Sequence, residues 1–381
     1  MLDESLLDAP DALTRADHRG LLRDAAEAGA RVRTALRLTA EAGVGELAPE
    51  GRPRGVLIAG SGAAATTAAD LIGALAGATA PVTRLHPTGV APAAGALRWA
   101  LPGWAGPVDL LLIATTDGSE PGLALLADQA YRRGCTVVAV APSRTPLGES
   151  LGGAHGLLVP MATAPNDWAD PVGADTRATG PGALWALLVP LLALLDRVGL
   201  LTAPPAALNL VADRLDRTAE RCGPAVVAYS NPAKTLAVEL ADSLPLIWTE
   251  GTAAAPAGRR FAAVLAELTG RPALAAELPE AIRAHAALLA GDLAGSADPD
   301  DFFRDRVTES GPLRARIVLL RDRPTGGLTA APAARELALG HEAPISELEP
   351  EEGSELEALA ELIAVTDFAT LYLALAAGTP L

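Results

Sequence analysis

At 381 residues the chain is long enough for two domains with separate cores, and a hydrophobic content of 50% excludes a disordered polymer. Aromatics supply only 3%, so alanine and leucine must do most of the packing, which favours many closely packed helices. A formal charge of -16 repels nucleic acid and anionic lipid, which removes both from the expected partners.

In chain order, residues 1–50 read as a helical segment, because LLRDAAEAGARVRTALRLTAEAG spaces apolar residues at the helical period. The acidic start MLDESLLDAPD carries no signal-peptide pattern. Cys135 and Cys222 sit beside apolar runs with no partner at ligand spacing, which implies buried thiols in a reducing, cytoplasmic setting. After a break at Pro49 to Pro53, the runs GVLIAG, PVTRLHP, PVDLLLIATTD and CTVVAVAPS read as strands, with helices in SGAAATTAADLIGALAG and PGLALLADQAYRRG. GGAHGLLVPMA adds a strand, and a helix at 180–199 closes a first domain at 51–204. Its stretch ALWALLVPLLALL is short and holds a proline, so it predicts a buried helix and no membrane span.

A second cycle fills a domain at 205–381. ALNLVADRLDRTAERCG predicts a helix, PAVVAYS a strand, NPAKTLAVELADS a loop into a helix, LPLIWTE a strand and RRFAAVLAELTG a helix. RARIVLLRD predicts a strand whose arginines, in the basic stretch Arg314 to Arg323, are solvated. ELEALAELIAVTDFATLYLALAAG predicts a long final helix. The alternation gives an α/β class: two doubly wound parallel-sheet subdomains after an N-terminal helical segment.

Ligands of such sheets bind beyond the C-terminal strand ends. Gly60, Ser61, Gly62 and Ala64 form a turn that lets an anion approach the backbone, or a purely structural turn. The full dinucleotide pattern is missing, so no nucleotide cofactor is expected. Thr115, Thr116 and Ser119 could cradle an oxyanion, which Asp117 and Glu120 would oppose; the alternative is a helix cap. Thr249 to Arg260 offers Glu250, Thr252, Arg259 and Arg260, either for an anion or as solvated charges. Glu267 and His285 could move a proton between adjacent sugar carbons, or be ordinary surface residues. His18, His86, His155 and His341 are scattered, so no metal is expected.

On these residues the chain resembles the SIS (sugar isomerase) superfamily, most nearly the bifunctional phosphoglucose/phosphomannose isomerases. DPDDFFRDRVTESGPLRARIVLLRD and LAELIAVTDFATLYLALAAGTP resemble an actinobacterial SIS-domain, TobH-like branch. The resemblance implies a cytoplasmic homodimer that binds a sugar derivative. The family's GxGGS motif keeps Gly60 and Gly62 here but has Ala63 and Ala64 where a glycine and a phosphate-binding serine stand. Its SYSGNT motif falls on Thr115 to Glu120, with Asp117 and Glu120 replacing phosphate ligands. The family's glutamate base falls on Glu267 and its ring-opening histidine on Arg283, with His285 two residues on. Its late lysine has no counterpart before Gly378-Thr379-Pro380-Leu381. These departures imply a degenerate or repurposed homologue. The alternatives are an active aldose–ketose isomerase using Glu267, and a regulatory or scaffolding subunit of sugar metabolism. The apolar helices at 183–199 and 356–377 are expected to supply the dimer surface.

Overall fold

A computed structural model describes residues 2–48, 51–89, 97–152, 156–162, 180–291, 293, 314–322 and 328–379. The segment 298–313, which carries part of the closer resemblance, lies outside the described residues. The chain divides into two compact units, Arg23–Asp216 and Met1–Leu22 with Arg217–Leu381; the division falls inside the helix Pro205–Cys222.

The unit Arg23–Asp216 is built on five parallel strands: β1 (Gly55–Ala59), β2 (Val82–Arg84), β3 (Asp109–Ala114), β4 (Thr136–Ala141) and β5 (Leu157–Pro160), in spatial order β2-β1-β3-β4-β5. Every residue of β1 and β3 is buried, which is why both read as near-continuous apolar runs instead of alternating ones; Asp109, at the start of β3, is paired with Arg54. On one face Leu57, Leu111 and Val137 pack with Leu123 and Leu126 of the helix Pro121–Arg132. Elsewhere in the unit the helices Ala28–Glu41 and Ala63–Ala76 pack against the helix Pro181–Arg197.

The other unit carries four parallel strands: β6 (Ser243–Glu250), β7 (Leu274–Glu277), β8 (Arg314–Arg321) and β9 (Ile345–Leu348), in order β7-β6-β8-β9. Trp248, Ile317 and Leu319 meet Ala281 and Leu289 of the helix Glu280–Ala290, and Ala334 of the helix Ala331–Gly340. The helix Ala254–Thr269 packs against the helix Glu355–Ala376. Each sheet is thus doubly wound. Each also reverses strand order at one place, between β1 and β3 and between β6 and β8.

Three sequence readings need correction. PAVVAYS is not a strand; Ala228–Ser230 is a short 3-10 turn with Tyr229 exposed. The reason is a side-chain claim on its backbone: Lys234 Nζ donates to the carbonyls of Pro224 and Val226, and Asn231 donates to that of Gly223. The arginines of β8 are not all solvated, because Arg321 is 2% exposed and bonded to Glu250 and Glu349. The final helix Glu355–Ala376, long and apolar enough to cross a bilayer, is buried along its length, as is most of Pro181–Arg197. The apolar surface expected to drive dimerisation is therefore already covered.

Candidate functional site

In open parallel sheets the crevice lies where strand order reverses, beyond the C-terminal strand ends. In the unit Arg23–Asp216 that place brings together the loop after β1, Gly60 to Ala64, and the loop after β3, Thr115 to Glu120. Glu120 is 6% exposed and precedes the helix Pro121–Arg132 without capping it. Its carboxylate instead crosses to the β1 loop, where Ser61 Oγ donates to Oε2 at 2.8 Å. The Trp99 indole N–H donates to Oε1. A charged acceptor with both oxygens bonded is a stable buried arrangement.

Two other hydroxyls of the loop, those of Thr115 and Ser119, are also engaged. Thr115 Oγ1 accepts the amide N–H groups of Asp117 and Gly118 at 3.3 and 3.2 Å. Ser119 donates to Asp117, and both are exposed. Thr116 is half-buried, and Ala64 is buried at the start of the helix Ala63–Ala76. Of the two acids predicted to oppose an anion, Glu120 lines the crevice and Asp117 stands at its rim.

In the other unit the equivalent crevice lies between β6 and β8. Asp322, the residue after β8, is 5% exposed. Its Oδ2 accepts the amides of Ala253 and Ala254 at 2.8 and 3.1 Å, where the helix Ala254–Thr269 begins. Glu250 is spoken for: it accepts from Arg321, Thr329 and the Ala330 amide, and these bonds outweigh burial to hold its carboxyl below the usual range. Arg260 forms a two-pronged pair with Asp367, and Arg259 pairs at the surface with Glu277 at 3.1 Å.

Glu267 stands exposed on the helix Ala254–Thr269. Desolvation raises its carboxyl above the usual range, against the easing effect of Arg19 and Arg260. Arg283 is exposed, while His285 points into the core, where its Nδ1 accepts the Trp248 indole N–H at 2.8 Å. Burial holds this imidazole below its ordinary value and keeps it a neutral acceptor. The unfolded chain binds that proton more readily, so the stabilisation is complete above about pH 6.5 and is lost as pH falls below it. Denaturation midpoints of the wild type should drop between about pH 7 and pH 5, and His285→Gln should flatten that drop. The low-lying carboxyls of Glu250 and Glu347 add their own loss only below their ordinary 4.5. An unchanged slope in His285→Gln would contradict this assignment.

Sequence reasoning missed two participants, Trp99 and Asp322, and outside the two crevices it missed a buried lysine. Lys234, the only lysine in the chain, is fully buried over the Tyr372 ring, with its ammonium lowered by desolvation. A lone Trp or Asp after an apolar run carries no spacing signal. Among the described residues no group of three His, Cys, Asp or Glu side chains is placed to hold a metal ion.

Two parallel α/β sheets, each with its crevice at a strand-order reversal, make up the described architecture. Residues 229–379 match the family model of the bacterial phospho-glucose isomerase C-terminal SIS domain. Three solved structures share the fold. Tagatose-6-phosphate ketose/aldose isomerase from Escherichia coli has 14% identity and a TM-score of 0.55, covering 93% of this chain and 92% of that one. The C-terminal domain of glucosamine-fructose-6-phosphate aminotransferase from Francisella tularensis has 12% identity and a TM-score of 0.54, covering 95% and 97%. A hypothetical protein from Thermus thermophilus has 15% identity and a TM-score of 0.57, covering 97% and 89%. No curated protein matches the sequence.

Proposed function

We propose that the protein is a cytoplasmic SIS-type binder of a carbohydrate derivative, a repurposed relative of the bifunctional phosphoglucose/phosphomannose isomerases in the TobH-like branch, and that it does not isomerise hexose phosphates. The observation that carries this reading is the buried Glu120 carboxylate on Ser61. A sugar phosphate is nearly a dianion at neutral pH, and its repulsion by a buried carboxylate grows as water is excluded. One further point supports it: His285 is turned to Trp248. Arginine, which stands at 283 where the resemblance expects a histidine, is a poor general acid. A homodimer is proposed on the family resemblance alone.

The test combines coupled kinetics with a thermal-shift panel of sugar phosphates, free sugars and nucleotide sugars. Turnover of glucose 6-phosphate, mannose 6-phosphate and fructose 6-phosphate should stay below about 0.01 per second, against roughly 10 per second for a typical enzyme. Stabilisation should come from ligands without a terminal phosphate monoester. A second reading, an active isomerase, draws support from the raised carboxyl of Glu267, the direction a proton-transferring glutamate needs. Robust turnover that vanishes in Glu267→Gln would establish it and remove the first.

A further inference from the structure

Both sheets repeat one arrangement at their crevices. A glycine-containing loop leaves the strand on one side of the reversal, β1 or β6, and leads into a helix, Ala63–Ala76 or Ala254–Thr269. A carboxylate then arrives from the segment after the strand on the other side, β3 or β8, and bonds to that loop. In one unit it is Glu120, on the hydroxyl of Ser61 and the indole of Trp99. In the other it is Asp322, on the amides of Ala253 and Ala254.

The Asp322 case has the geometry of a bound anion. Gly251 lies in the left-handed region at φ +112, and a Cβ built there would stand 1.5 Å from Asp322 Oδ1. Only glycine lets the carboxylate come so close to the backbone, which is the service glycine performs for phosphates in such loops. Asp322 Oδ1 is buried, and among the described residues it has no hydrogen-bond partner. A side chain present only to cap a helix would leave that second oxygen in water. A carboxylate seated in an anion cradle has one oxygen on the amides and the other shut in behind it.

We infer that the protein carries its own anion in both cradles, Glu120 in one unit and Asp322 in the other. The two crevices are latent oxyanion sites, each closed to phosphate by a built-in carboxylate and opened when that carboxylate is removed. The Glu120 half of the inference rests on the same bond as the proposed function and the Asp322 half does not; its test needs no sugar ligand, so a failed rescue and a failed turnover test are read apart.

The experiment is chemical rescue of stability in the full chain. Asp322→Ala and Glu120→Ala should each lower the melting temperature by about 3–6 °C, since the donating amides, or the donating hydroxyl and indole, lose their charged acceptor. Sodium formate or inorganic phosphate, against chloride at equal ionic strength, should restore at least about half of that loss by mass action. The wild type should move by less than about 1 °C under the same salts, because its cradles are filled. Asp322→Asn and Glu120→Gln keep the volume and should show no formate-specific recovery. Calorimetric titration with inorganic phosphate should detect binding to the alanine variants and none to the wild type. A wild-type response as large as the variants', or alanine variants with no anion-specific recovery, overturns the inference. So does failure of both alanine variants to fold with phosphate present throughout refolding.

Discussion

Asp367→Ala is expected to destabilise the unit that holds it by about 3–5 kcal/mol, seen as a lower denaturant midpoint. Asp367 lies in the helix Glu355–Ala376 and meets Arg260 through two bonds of 2.8 and 3.1 Å. The two side chains are only 4% and 2% exposed. A buried ion pair adds little over well-packed apolar residues, because desolvation offsets most of the attraction. Removing one partner is different: it leaves the Arg260 guanidinium in the interior without its carboxylate. The double change Arg260→Met with Asp367→Leu should therefore recover most of the loss. A single variant within about 1 kcal/mol of wild type would mean that water reaches Arg260 once Asp367 is gone.

The same pair shows why part of the molecule was legible in the sequence and part was not. Unbroken apolar runs at 56–59, 110–114, 137–141 and 317–320 announce strands covered on both faces, and they became β1, β3, β4 and β8. The edge strands β7 and β9 gave no such signal. LAAE and ISEL are short, partly exposed and poor in β-branched residues, and their neighbours specify them more than their own side chains do. PAVVAYS failed in the opposite direction: its apolar run has strand composition, but a buried lysine eight to ten residues away takes its carbonyls. Local pattern carries no information about such a distant claim.

The site divides along similar lines. The C-terminal ends of parallel strands follow from the alternation of strands and helices, so the loops at Gly60 and Thr115 could be found from sequence, while the reversal of strand order is seen only in the fold. Which side chains answer each other across the crevice could not. Glu120 is 59 residues from Ser61 in the chain, and Asp322 is 69 from Ala253. The fold alone brings each pair within hydrogen-bond reach, and the residues carry no spacing motif. Family motifs also assign Gly60 to ligand approach, and here the structure gives it a second task.

Gly60→Ala is expected to destabilise the unit Arg23–Asp216 by about 3 kcal/mol, near the upper end for overpacking a tight interior. A Cβ at Gly60 would stand 2.0 Å from the Ala114 carbonyl oxygen and 2.9 Å from Ala65 Cβ. Neither contact is the far end of a flexible side chain: one is the backbone at the end of β3, the other the first turn of the helix Ala63–Ala76. Relief requires separating β1 from β3 or lifting the helix. Gly62 is the control. It sits at φ +90 and ψ 165, with nothing within 4 Å of a built Cβ, so Gly62→Ala brings backbone strain of about 1–3 kcal/mol without a clash. Denaturant titration of both variants in ligand-free buffer separates the two roles. A large loss for Gly60→Ala with a small one for Gly62→Ala marks Gly60 as the point where β1, β3 and the helix must touch. Equal, small losses would show that the loop yields at Gly60, and would return that glycine to a role in ligand approach alone.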